Sequence, residues 1–134
     1  MRLSNQSKSV IEQIGQSIGG MFAIGLTPLQ ILILCEVRYR ESISGRTQHV
    51  FTDHVRISIR KMLQNNGGGF NPSRQSFWNS FKSLQAQGFL FIAPPAKNTW
   101  KRGVAITVSG ATLFHYPKTI HPFQKFPTTE NHEL

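Results

Sequence analysis

The residues in this sequence with the most chemistry to offer lie in the run Ser73-Arg74-Gln75-Ser76, continued at helical steps by Trp78, Asn79 and Lys82. Their chemistry is recognition, not bond making. A guanidinium such as Arg74 matches guanine O6 and N7, and an amide such as Gln75 or Asn79 matches adenine N6 and N7. Ser73, Ser76 and Lys82 suit phosphate oxygens, which fix register without reading sequence. A second group follows, in which Lys97, Lys101 and Arg102 accompany Asn98 and the indole of Trp100.

The residue types that catalysis needs are present without the spacing. His49, His54, His115, His121 and His132 form no HExxH or other tight ligand pattern. His49 and His54 straddle a helix start and read as surface residues. Asp53 is explained by its place in a first helical turn, where a carboxylate meets unpaired amides. Gly67-Gly68-Gly69 lacks the Lys-Ser or Lys-Thr of a nucleotide loop. Tyr116, with arginines nearby, has the chemistry of a recombinase nucleophile, but the chain is too short for such a domain. Cys35, the one cysteine, stands inside the apolar run Ile31-Leu32-Ile33-Leu34-Cys35 and reads as a buried small hydrophobe. The expectation is no enzyme, no metal and no cofactor.

Charge narrows the partner. The net charge is +9, and it is unevenly laid out. Residues 1–53 are close to balanced. From His54 to Thr129 come Arg56, Arg60, Lys61, Arg74, Lys82, Lys97, Lys101, Arg102, Lys118 and Lys125, with no carboxylate among them. Soluble surfaces normally intersperse both signs, and a one-sign field repels itself, so a polyanionic partner is the natural explanation. No stretch reaches the length of a membrane span, and the N-terminus lacks the layout of a signal peptide. A cytoplasmic, nucleoid-associated protein is expected, with no membrane partner.

The elements that must position these residues can be read from periodicity and stop signals. Val10, Ile11, Ile14, Ile18 and Met21 form a helical stripe closed by Gly19-Gly20, which packs either on its own domain or on a second copy. Thr27-Pro28 opens a central apolar helix to about Arg40, and Ser42 to Val50 reads as a loop or short extended segment. Thr52-Asp53 opens a third helix with Val55, Ile59, Met62 and Leu63 on one face, ended by Asn65-Asn66-Gly67-Gly68-Gly69. Asn71-Pro72 opens a fourth, over 72–87, with Phe77, Phe81 and Leu84 as its buried line and Gly88 as its left-handed end. Arg74, Gln75, Trp78, Asn79 and Lys82 face away. For Trp78 two placements stay open, on a sugar or thymine methyl, or tucked beside Phe81. Phe89 to Ala93 and Val104 to Val108 read as strands of a hairpin whose tip, 94–103, is basic and aromatic. A short helical turn over Ser109 to Tyr116 and a Pro-rich, flexible tail complete the chain.

The resulting class is mainly α with a small β hairpin: a winged helix-turn-helix with an extra N-terminal helix. Three parts are expected, with residues 1–26 as a helix and dimer contact, 27–116 as the DNA-binding domain and 117–134 as the tail. Leu84, Gly88, Phe89 and Leu90, followed by Ile106, Thr107 and Gly110, resemble the pattern of MarR-type transcriptional regulators over residues 27–114. In that pattern the recognition helix ends in Leu-x-x-x-Gly and two apolar residues, and the wing ends in an apolar residue and Thr-x-x-Gly. The chain departs from it in the long loop Asn65 to Phe70, in Asn98 where the family has Asp before an Arg, and in the tail, which replaces a dimerisation helix. The resemblance implies a homodimer on double-stranded DNA. The contact set is then Ser73, Arg74, Gln75, Ser76, Trp78, Asn79 and Lys82 in the major groove, and Lys97, Asn98, Lys101 and Arg102 at backbone or minor groove. A plasmid or phage replication or partition protein, or a winged helix used for protein contact, are the other readings of the same elements.

Overall fold

The computed structural model describes residues 5–44, 50–95, 97 and 99–123. The elements run α1 (Asn5–Ala23), α2 (Pro28–Ser44), α3 (Thr52–Asn65), α4 (Arg74–Ala86), β1 (Leu90–Ile92), β2 (Val104–Ile106) and α5 (Val108–Ala111).

Helix α2 is the hub because its sequence is apolar on every side. All residues from Ile31 to Val37 are buried, and the helix touches α1, α3, α4 and β2. Its start follows the local signal. The Thr27 hydroxyl accepts from the Gln30 backbone N–H at 3.2 Å, and the Gln30 side chain accepts from the Thr27 N–H at 2.9 Å, a reciprocal capping box. The helix runs a turn beyond Arg40, to Ser44, and Arg40 reaches back along it to Glu36. Helix α1 lays Ile14, Ile18 and Met21 on this core and leaves Ile11, Phe22 and the following Ile24 exposed.

The wing is wider than the hairpin read from sequence. Strands β1 and β2 are antiparallel, with Leu90 opposite Ile106 and Ile92 opposite Val104. Phe51 bridges Gly103, and Val50 accepts from the Val104 N–H at 2.8 Å, so the entry to α3 adds a short third edge. Val108, expected in the second strand, instead opens α5. The Thr107 hydroxyl ends the strand by accepting from the Gly110 N–H at 3.0 Å. The central part of the loop between α2 and this edge, 45–49, lies outside the described residues.

The C-terminal segment carries a further difference. Expected as a Pro-rich, flexible tail from residue 117, it is held against α2 at His121, which meets Glu36 and the Tyr39 ring. Residues 124–134 lie outside the described part. The cause is a carboxylate: Glu36 is buried in the middle of α2, and a buried charge must find partners. It finds Arg40 Nε at 2.7 Å and His121 Nε2 at 2.9 Å. Burial pushes the Glu36 carboxyl upward, but the hydrogen bonds and charges of His121 and Arg40 outweigh it and hold the group below its usual range. Two residues on, the Arg38 guanidinium lies over the Phe114 and Tyr116 rings, at 4.4 and 4.8 Å, and donates to the Tyr116 carbonyl at 2.6 Å. Tyr116 donates its hydroxyl to Cys35 Sγ at 3.5 Å, and burial pushes that thiol up to about 12. Both groups are therefore structural, which removes Tyr116 as a nucleophile and matches the inert reading of Cys35.

Candidate nucleic-acid interface

Helix α4 is held at both ends and along one side. Phe77, Phe81 and Leu84, at steps of four and three, are fully buried, and a helix anchored this way presents its other face to solvent. Its cap is Ser73, two residues later than the Asn71-Pro72 signal. The Ser73 hydroxyl accepts from the Ser76 N–H at 3.1 Å, and helical structure begins at Arg74 rather than residue 72. Pro72 has another task, since its carbonyl accepts from Arg60 at 3.2 Å and ties α3 to the entry of α4. At the far end Gly88 has φ of +86°. Its N–H and that of Phe89 return to the carbonyls of Gln85 and Leu84, closing the helix.

The same turn couples helix to wing. Thr107 donates its hydroxyl to the Gly88 carbonyl at 2.5 Å while capping α5. A Cβ on Gly110 would collide with the Phe89 carbonyl oxygen, so only glycine allows this close approach. The spacing of Gly88, Phe89, Thr107 and Gly110 thus records one tight junction. Gln85 adds to it by accepting from the Ile92 N–H at 2.7 Å, and Gln30 reaches across from α2 to Ser83 at 3.0 Å.

On the outward face Arg74, Gln75, Ser76, Asn79 and Lys82 are all exposed, as the sequence predicts. Gln75 donates to Asn79 at 2.8 Å, which aligns two amides side by side on the helix surface. Ser73 and Ser76 are engaged with each other, Oγ to Oγ at 3.0 Å. Trp78 is partly buried against the core, and the Arg102 guanidinium lies over its ring at 5.4 Å. The wing supplies Lys97, Lys101 and Arg102, with the Lys101 ammonium 5.6 Å from the Phe51 ring centroid. Asn98 lies outside the described residues.

Between α4 and the wing runs a cleft of about 370 Å³ whose walls include Arg56, Arg74, Gln75, Trp78, Trp100 and Arg102. Arg56 and Trp100 were not in the sequence-derived set. Arg56 points inward from α3 and pairs with Asp53 at 3.7 Å, the one carboxylate in the cleft. Its helical position gives no hint of this, because the cleft exists only once the wing folds back. Trp100 was visible at the wing tip, but the cations beside it carried the sequence reading. Arg74, Lys82, Lys97, Lys101 and Arg102 make no ion pair among the described residues. The face is therefore cationic, amide-bearing and convex along α4, and it can place paired donors and acceptors against base edges while the wing meets backbone. Among the described residues no three His, Cys, Asp or Glu side chains gather as a metal site, and no helix is long and apolar enough to cross a membrane.

No protein-family model matches the sequence, and no curated protein matches it. Among solved structures the chain is similar to a point mutant of MepR from a multidrug-resistant S. aureus clinical isolate. The TM-score is 0.51 at 15% identity, over 84% of this chain and 72% of that one. MepR is a winged-helix regulator of the MarR type. Five helices and the two-stranded antiparallel hairpin among the described residues agree with that likeness, and the fold of this chain is a MarR-like winged helix-turn-helix.

Proposed function

We propose that this chain is a sequence-selective double-stranded DNA-binding protein that regulates transcription, reading the major groove with α4 and holding backbone or minor groove with the wing. One observation carries the reading. Arg74, Gln75, Asn79 and Lys82 project from the same helix face without a carboxylate partner among the described residues, beside a wing bearing Lys97, Lys101 and Arg102. A protein leaves such a field uncompensated where a polyanion compensates it. The likeness to MepR supports a DNA-binding regulator in general.

The exposed apolar strip of Ile11 and Phe22 on α1, continued by Ile24, favours a homodimer, because a second copy would cover it. Two-fold symmetry then implies a paired, roughly palindromic site. The test is binding to random-sequence duplex across a salt series, followed by selection of preferred sites from a random pool. Salt-dependent binding with an enriched palindromic motif is the expected result. Absence of duplex binding at low salt would leave the fold standing and remove DNA as the partner, in favour of a winged helix that contacts protein. Recovery of a replication-origin or partition sequence as the preferred site would keep the chemistry and change the role.

A further inference from the structure

We infer that the Trp100 indole is an aromatic wedge that enters the duplex beside the α4 contact and unstacks one base step, so that sequence is selected there by deformability instead of hydrogen bonding. The inference rests on the DNA-binding reading above and deepens it.

Trp100 is 94% exposed, more than any other large hydrophobic side chain among the described residues. A tryptophan ring is normally among the best-buried surfaces a protein has, so one held in water is a feature to be explained by what it meets. The neighbouring cations do not cover it. Arg102 is drawn back over Trp78, and Lys101 is drawn toward the Phe51 ring. Lys101 N–H donates to Thr99 Oγ1 at 3.0 Å in a local turn around the tryptophan, and on its C-terminal side the Arg102 carbonyl accepts from Thr52 N–H at 3.0 Å, which ties the wing to the entry of α3. The indole projects from this turn at the mouth of the same cleft that Arg74 and Gln75 line. It faces whatever the base-reading residues face.

An indole has little to offer a phosphate, and its flat apolar face is suited to the face of a base. Apolar wedges of this kind enter base steps from the minor groove, where wings reach, and bend the duplex away. The energy of unstacking is lowest at TA and CA/TG steps, so the wedge confers preference at a position where no hydrogen bond is read.

The experiment uses the full chain and a selected duplex carrying 2-aminopurine in turn across the flank of the α4 contact. Wild-type protein is expected to raise fluorescence at one step only. Trp100→Ala should abolish that rise and weaken binding about tenfold when the step is pyrimidine–purine, with little change when it is a stiff G·C or A-tract step. Trp100→Arg should restore affinity through charge without restoring the fluorescence. Because the ring is exposed, both variants should melt with the wild type. Unchanged fluorescence in Trp100→Ala, or an equal loss on every sequence, overturns the wedge while salt-dependent binding keeps the DNA reading. Failure of the wild type to bind any duplex overturns both.

Discussion

Where α2 meets the C-terminal segment, cations are enclosed. Arg38 lies between two aromatic rings and a carbonyl, and Arg40 closes with His121 on the buried Glu36. Across the domain, on α4 and the wing tip, Arg74, Lys82 and Lys97 are exposed and meet no carboxylate among the described residues. The same residue types serve opposite ends. An arginine whose donors meet protein acceptors is part of the fold, and a row of cations that meet none marks a surface waiting for anionic charge. The contrast also divides the net charge of +9, since Arg38 and Arg40 on α2, with Arg56 and Arg60 on α3, are engaged within the domain, whereas Arg74, Lys82 and Lys97 make no ion pair among the described residues.

Substitutions can break this comparison on either side. The largest effect is expected from Glu36→Ala, which strands His121 and releases Arg40. Breaking a buried pair of this kind costs about 3 kcal/mol, measured by chemical denaturation, while site preference of the folded fraction stays as it was. Acid should reproduce part of that loss. The folded carboxyl titrates below the ordinary glutamate range, so its contribution is complete above that range and disappears as pH falls through the lower folded value. A denaturation series below neutral pH checks the direction, and Glu36→Gln should remove the slope.

On the other side, Arg74→Ala or Asn79→Ala should each cost about 1–3 kcal/mol on the selected site and relax base preference at one position. Equal loss on all sequences would remove α4 from base readout. The smallest effect is expected from replacing Lys101 and Arg102 together with Ala. Binding should weaken alike on every sequence, and the salt slope should flatten by about 1–2. An unchanged slope would mean that the wing does not touch phosphate. None of these surface changes should move thermal stability much, which is itself a test of the division between the two faces.

What was legible in the sequence was what depends on neighbours along the chain. The Thr27 and Gln30 cap, the buried line of Phe77, Phe81 and Leu84, and the left-handed Gly88 are all set within one or two turns. The start of α4 was misplaced by two residues because Asn71 and Ser73 both satisfy the local rule for a cap. The contact that engages Pro72 comes from Arg60, on another helix. The prolines of the C-terminal segment point to a flexible tail, and its anchoring over 117–123 could not be read from them. His121 is held by Glu36, 85 positions earlier, and nothing near His121 announces that partner. The placement of Trp78 likewise waited on Arg102, which only the returning wing brings over its ring.

The Thr107 hydroxyl, bonded to the carbonyl of Gly88 at the end of α4 and to the first turn of α5, makes helix and wing branches of a single clasp. With Gly110 pressed against the Phe89 backbone there is little room for one branch to move without the other. The molecule therefore works as a caliper with its jaw set: the separation between whatever α4 touches and whatever the wing touches is decided by folding. Loss of that hydroxyl would remove one of the bonds that set the jaw, leaving the Gly110 contact and the Gln85 bond to Ile92 to hold the spacing.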